Sequence, residues 1–151
     1  FCVILSSVNK NGHLYKTLME TKVAVINFLS ADIFEKAMAT IKNNQWEADE
    51  ITESGLSAVP AVKVNAPMVD ESFMNLECKL LWEKEIIPGD AHVAVCLDVV
   101  NVHASESYLE NRTKENGLLY KIHHPVNPEN FSGKAHDWAG IVKSVIDMGE
   151  Y

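Results

Sequence analysis

Met74-Asn75-Leu76-Glu77-Cys78-Lys79-Leu80 alternates apolar and polar side chains, and after the turn Ile87-Pro88-Gly89-Asp90 the alternation resumes through Val93, Val95, Leu97 and Val99 to about His103. A period of two residues is the mark of a strand with one face on a core. Two such runs flanking a Pro-Gly turn predict strands that lie antiparallel. Upstream, Pro60 and Pro67 punctuate two further extended segments, and Cys2 to Ser6 reads as a buried strand. Val23 to Leu29 is a β-branched apolar run, hence another strand.

Helices are inserted between the early strands. Leu14, Leu18 and Met19 fall at helical spacing between His13 and Lys22, after the polar turn Asn9-Lys10-Asn11-Gly12. Ser30 is placed to cap a helix with the apolar face Ile33, Phe34, Ala37, Met38 and Ile41. A short helix from Glu47 to Ser54 would end at Gly55. Tyr108 to Gly133 looks loop-rich, with a short strand at Leu118 to Ile122. Trp138, Ile141, Val142, Val145 and Ile146 share one face of a predicted last helix. The fold class is therefore mainly β with inserted helices. The regular strand–helix alternation of a doubly wound sheet is absent.

The chain of 151 residues fits one domain over 1–151, and its 47% hydrophobic content suits a globular core. Thirteen Lys and Arg against 21 Asp and Glu leave a formal charge of −8, with Arg112 the single arginine. That balance argues against a nucleic-acid surface, which needs clustered cations. No apolar run has the length of a membrane span, and no signal segment opens the chain. Cys2, Cys78 and Cys96 are odd in number, widely spaced and each in an apolar stretch. They read as reduced, buried thiols, which points to a cytoplasmic setting and away from zinc or iron–sulfur chemistry. Phe1 leads straight into the apolar run Cys2-Val3-Ile4-Leu5, so we expect the domain to begin upstream of it.

Few residues carry an obvious chemistry. Ser6-Ser7-Val8-Asn9-Lys10-Asn11-Gly12-His13, with Thr17 in the following helix, feeds hydroxyls, a cation and a glycine into a helix start. Such a segment is either a solvated turn or a cradle for phosphate, favoured by backbone N–H groups and the helix dipole. Asn27 interrupts an apolar strand, and its amide must find partners, structural or in a ligand. Six histidines include no HxH or HExxH pair, so no metal site is expected. His92, just past the turn, is the histidine best placed for function, an exposed turn residue being the alternative. Glu77 falls on the polar face of its strand as a solvated or paired carboxylate. No GxSxG nucleophile is present.

Taken in order, these segments resemble the flavin reductase-like family, the FMN-binding split β-barrels that include flavoredoxins. The resemblance rests on Phe1-Cys2-Val3-Ile4-Leu5-Ser6-Ser7 with Asn9-Lys10 and Thr17, on Val25-Ile26-Asn27-Phe28, and on Gly55-Leu56 and Ala66-Pro67. It continues through Leu76-Glu77-Cys78-Lys79-Leu80, Gly89-Asp90-Ala91-His92 and Asp98-Val99-Val100, covering residues 1 to 103. The resemblance implies a small barrel that forms a homodimer with flavin near the subunit interface. Ser6, Ser7, Val8, Asn9, Lys10 and Thr17 would hold the FMN phosphate and ribityl chain, while Asn27, Phe28, Leu29 and Ser30 would line the ring. His92 would face the nicotinamide, although it follows Gly-Asp-Ala where the family more often has Gly-Asp-His. Lys10 stands where many members carry arginine, which removes a bidentate fork. Members also carry a flavin-contacting segment upstream of the position matching Phe1.

The expected function is an NAD(P)H-dependent FMN reductase. Alternatives are an electron-transfer flavoprotein that works with a redox partner protein, and an oligomeric barrel module without flavin. A missing acid–base dyad does not weigh against the redox readings, since the flavin carries the chemistry.

Overall fold

The computed structural model describes residues 1–42, 46–109, 117–127 and 132–142. Strands β1 (Cys2–Asn9), β2 (Val23–Phe28), β5 (Met74–Glu85) and β6 (His92–Ala104) form one antiparallel sheet in the order β1-β6-β5-β2. Helix α1 (His13–Thr21) joins β1 to β2; a 3-10 turn at Ala31–Ile33, α2 (Phe34–Lys42) and α3 (Glu50–Glu53) follow. The short strands β3 (Ala58–Pro60) and β4 (Pro67–Val69) pair as a hairpin ahead of β5. After β6 come α4 (Glu106–Leu109) and the antiparallel pair β7 (Leu118–Asn127) and β8 (Ser132–Val142). No helix among the described residues is long and apolar enough to cross a membrane.

The sheet is curled into a half-barrel by three bulges. Two residues of β1, Ser6 and Ser7, stand between the Leu5–Val95 and Val8–Val93 pairs, where β6 supplies only Ala94. Between β5 and β6, Val100 is the extra residue on one strand and Leu81 on the other. An extra residue bends its strand and steepens the right-handed twist, which is how an open sheet closes toward a split barrel.

Alternation sets the core. Val93, Val95 and Leu97 of β6 and Leu76 and Cys78 of β5 share the concave face with Val8, and Leu18 of α1 seals it at 1% exposure. Burying each such aliphatic side chain contributes about 1.5–3 kcal/mol, so this cluster dominates the apolar term. The other face of β5 is polar yet also covered. Asn75 and Glu77 are buried there beneath the β3–β4 hairpin.

Several sequence expectations change. The predicted last helix is instead the strand β8, which places Trp138, Ile141 and Val142 opposite Ile122, Leu119 and Leu118; Val145 and Ile146 lie outside the described residues. Gly133 and Gly140 weaken a helix there, and the β-branched and aromatic residues suit a pleated surface. The short strand expected at Leu118 to Ile122 runs on to Asn127. The helix expected over Glu47 to Ser54 occupies only Glu50–Glu53, because Asp49 caps it by accepting from the Thr52 N–H at 3.1 Å. Cys2 is exposed, whereas Cys78 and Cys96 are buried. Leu14 and Ile41, expected on apolar helix faces, are about half exposed at 50% and 56%.

Candidate functional site

The bulge in β1 decides what the polar segment does. Inserting one residue re-aims Ser6 and Ser7 out of the regular ladder, just before the chain turns into α1. The turn itself is fixed locally: Asn9 Oδ1 accepts from Asn11 N–H at 2.9 Å, Gly12 N–H donates to Asn9 O at 3.0 Å, and Lys10 N–H donates to Ala91 O at 2.8 Å. Gly12 then serves as the N-cap of α1 without any side chain to bond the first turn. The first N–H groups of any helix lack intrahelical partners and carry the positive end of its dipole.

These residues border an open cavity of about 620 Å³ lined by Ser6, Ser7, Asn9, Gly12, His13 and Leu14, with Ile4, Leu5, Val8 and Glu50. A second compartment of about 340 Å³ adjoins it, lined by His13, Thr17, Trp46, Asp49, Glu50 and Ile51 with Ala48 and Pro67. His13 and Glu50 belong to both walls, and they meet at 3.4 Å, tying α1 to α3. The larger compartment offers hydroxyls, amides and a helix start. The smaller offers an indole, an imidazole and carboxylates.

The structure thus gathers Ser6, Ser7, Val8 and Asn9 on one wall and sets Thr17 in the adjoining compartment. Val8 itself is a core residue, 5% exposed. Lys10 points elsewhere: its ammonium pairs with Glu85 at 2.8 Å, and that hydrogen bond raises the Lys10 pKa and lowers that of Glu85. Asn27, Phe28, Leu29 and Ser30 sit at the far end of β2, and β1 and β2 are opposite edges of the sheet. Asn27 Oδ1 accepts from Val69 N–H at 3.0 Å, joining β2 to β4. Phe28 leans on Phe73, which stacks on Tyr108 with ring centres 5.4 Å apart. Ser30 precedes the 3-10 turn as expected of a cap, but its hydroxyl donates to the Asp32 carboxylate rather than accepting from the backbone.

His92 opens β6 directly opposite Asn9 of β1, so it flanks the Asn9–Gly12 turn and is absent from the cavity lining. Its side chain is 47% exposed, and its Nδ1 lies 3.1 Å from Asp90 Oδ1. The His92 backbone N–H and ring together hold the Asp90 carboxyl below its ordinary pKa. The ring is therefore oriented by the turn and presented to solvent.

Of the two readings of Glu77, solvated or paired, the structure shows the paired one, and its partners are what the sequence reading missed. Glu77 is fully buried and accepts from the N–H groups of Val62 at 3.1 Å, Lys63 at 2.5 Å and Val64 at 3.0 Å. Asn101 Nδ2 donates to it at 2.8 Å, and His103 Nε2 lies 2.5 Å away. Burial works to raise the Glu77 pKa, but the donors outweigh it and hold the carboxyl at about 2. The available signal was the register. Glu77 pairs with Asn101, and Asn75 with His103, so alternate polar residues of two strands shared one face. Among the described residues no group of three His, Cys, Asp or Glu side chains is placed to hold a metal ion.

Comparison with known proteins gives these features a setting. A family model described as flavin reductase like domain matches residues 2–126. An uncharacterized protein of Aquifex aeolicus (strain VF5) is 31% identical over 81 residues, which are 50% of this chain and 41% of that protein. Among solved structures, the NADH:FAD oxidoreductase SgcE6 of Streptomyces globisporus C-1027 superposes with a TM-score of 0.59 at 19% identity, over 70% of this chain and 60% of that one. Flavoredoxin of Desulfovibrio vulgaris (Miyazaki F) reaches 0.68 at 21% identity over 99% of this chain and 76% of its own. Nitrilotriacetate monooxygenase component B from Bacillus cereus reaches 0.73 at 14% identity over 97% and 70%. At such identities these likenesses concern the fold, a split barrel. The chain spans less than two thirds of the length of both the Aquifex protein and SgcE6.

Proposed function

This chain belongs to the flavin reductase-like domain family, and from that premise we propose that it is the flavin-holding domain, residues 1–151, of an NAD(P)H-dependent FMN reductase. The observation that carries the reading is the bulge at Ser6 and Ser7, which opens a cavity of about 620 Å³ at the first turn of α1. Hydroxyls, an amide and helix N–H groups converge there, with the Glu50 carboxylate at the boundary to the smaller compartment, and the hydroxyl and N–H donors suit a phosphate ester and a polyol chain. Bound flavin would supply hydride acceptance and electron transfer.

In this reading Ser6, Ser7, Asn9 and Thr17 bind the phosphate and ribityl hydroxyls. Lys10 joins them only by leaving Glu85. The Asn27–Ser30 end of β2, on the opposite sheet edge, borders the ring in an assembly of two subunits, each completing the other's site. Light scattering on the complete protein with FMN tests this, and a monomer with full FMN affinity would defeat it. In the same reading His92, beside the turn opposite Asn9, is the nicotinamide-side residue. His92→Ala should slow anaerobic reduction about 10- to 100-fold, the scale of one lost orienting contact, with FMN affinity unchanged.

The deciding experiment is the absorbance spectrum of the purified protein, followed by anaerobic NADH or NADPH. Flavin bands that bleach rapidly support the reductase. Bands that persist until a protein electron donor is added would support the electron-transfer reading, for which the flavoredoxin likeness over 99% of the chain speaks. A protein that takes up no flavin would leave an oligomeric barrel module. A cytoplasmic location fits the reduced cysteines and would be checked by fractionation.

A further inference from the structure

Trp46 is 56% exposed, yet its side chain is held in place. The His13 ring meets it edge to face, with centres 4.7 Å apart and planes at 87°, and the Lys16 ammonium lies over the indole ring, 4.9 Å from its centre, so a stacking base takes the part of the indole these two leave open. A large aromatic surface left open to water loses the benefit of burial, and holding it rigid costs side-chain entropy. Both costs suit a platform on which a ring stacks, because a side chain already ordered loses little on binding.

The surroundings narrow the ring. The compartment of about 340 Å³ around Trp46 carries the carboxylates of Asp49 and Glu50. Asp49 is engaged by Thr52, through its N–H at 3.1 Å and its hydroxyl at 2.7 Å. Glu50 offers its carboxylate from the boundary with the larger cavity, braced by His13 at 3.4 Å. Carboxylates repel phosphate and offer nothing to the methylated benzenoid edge of a flavin. They accept hydrogen bonds from ribose hydroxyls and from an exocyclic amine. Glu50 borders both compartments, so phosphates belong at the Ser6, Ser7 and Gly12 side of the larger one and an amine-bearing nucleoside in the smaller, where Asp49 adds a second carboxylate.

We infer that Trp46, Glu50 and His13 form a subsite for the adenosine half of a dinucleotide whose phosphates occupy the adjoining Ser6–Ser7 cavity. The base stacks on the indole and the ribose hydroxyls donate to Glu50. This deepens the flavoprotein reading and rests on it for the identity of the dinucleotide, since FAD and NAD⁺ present the same adenosine, whereas the adenosine of NADP⁺ carries a 2′-phosphate that the Glu50 carboxylate would repel. A mononucleotide such as FMN reaches this compartment only at Thr17 and leaves Trp46 untouched.

The test compares the complete wild-type protein with Trp46→Ala and Trp46→Phe, using AMP, FMN, FAD and NAD⁺ as separate ligands. AMP should quench the tryptophan emission of the wild type and not that of Trp46→Ala. Trp46→Ala should weaken FAD or NAD⁺ about 5- to 150-fold, the range for losing one base–aromatic stack, and leave FMN unchanged. Trp46→Phe should recover most of the affinity. Whichever dinucleotide depends on Trp46 is the source of the adenosine. Equal losses for FMN and FAD, or no Trp46 dependence for AMP, FAD and NAD⁺, would overturn the subsite. A protein that binds no flavin but retains Trp46-dependent AMP quenching would sink the flavoprotein reading and keep the subsite.

Discussion

Glu77 is a charge placed where charges seldom survive, and its five donors explain why it does. An isolated buried carboxylate would take up a proton; here the ionised form is the one that every neighbour is built to meet. Its folded pKa of about 2 lies below its ordinary 4.5. A depressed carboxyl contributes stability that is fully present above the unfolded value and is lost as pH falls through the folded one. Acid unfolding should therefore steepen between about pH 4.5 and pH 2. Glu77→Gln should flatten that limb and cost about 3–5 kcal/mol at neutral pH, because an amide cannot accept from all the N–H groups left behind. Urea titrations at a series of pH values measure both effects, and parallel pH profiles for the two proteins would refute the account. Lys10 poses a smaller question. Its pair with Glu85 is exposed and screened by solvent, so a phosphate can outcompete it. Glu85→Gln should then tighten FMN binding a few-fold and leave riboflavin unchanged, and Lys10→Ala should weaken FMN alone. Calorimetric titration showing FMN indifferent to both substitutions would place the phosphate out of reach of Lys10.

Among the elements, β5 and β6 were legible because Met74 to Leu80 and Val93 to Val99 each alternate with one apolar face, and a period of two marks a strand. Helix α1 was legible for the same reason in its own period. The segment from Trp138 to Val142 was not, since a run of apolar residues spaced three and four apart also fits a strand when its partner is unknown. Only β7, distant in pattern from any hairpin signal, decides it. Asn27 shows the same limit at one residue: its amide demanded partners, and the partner proved to be the Val69 N–H, 42 residues away. Asn27→Ala should unfasten β4 from β2, costing about 1–3 kcal/mol for the orphaned N–H. Chemical denaturation checks it. Unchanged stability with lost flavin binding would return Asn27 to the ring.

At the scale of the whole molecule, the mainly β, antiparallel class was readable from the alternating strands and the barrel only from the family resemblance, whereas the candidate site was half readable. Ser6, Ser7 and Asn9 are contiguous, and contiguous residues share a cavity wall once a bulge turns them together. His13, Glu50 and Trp46 converge from α1, α3 and the turn before it, and no local pattern announces a meeting of three elements. The same is true of Glu77, whose donors come from the loop between β3 and β4 and from β6. That loop is also where surface position and solvent contact part company. Val62 is 67% exposed, yet its N–H, with those of Lys63 and Val64, is bonded to a carboxylate sealed inside the sheet. Deuterium reaches an amide only when its hydrogen bond opens, so these three should exchange on the timescale of the β5–β6 ladder rather than that of a surface loop. The loop and the central strands would then open as one cooperative unit, and mass spectrometry would record an exposed segment that keeps its protons as long as the core does.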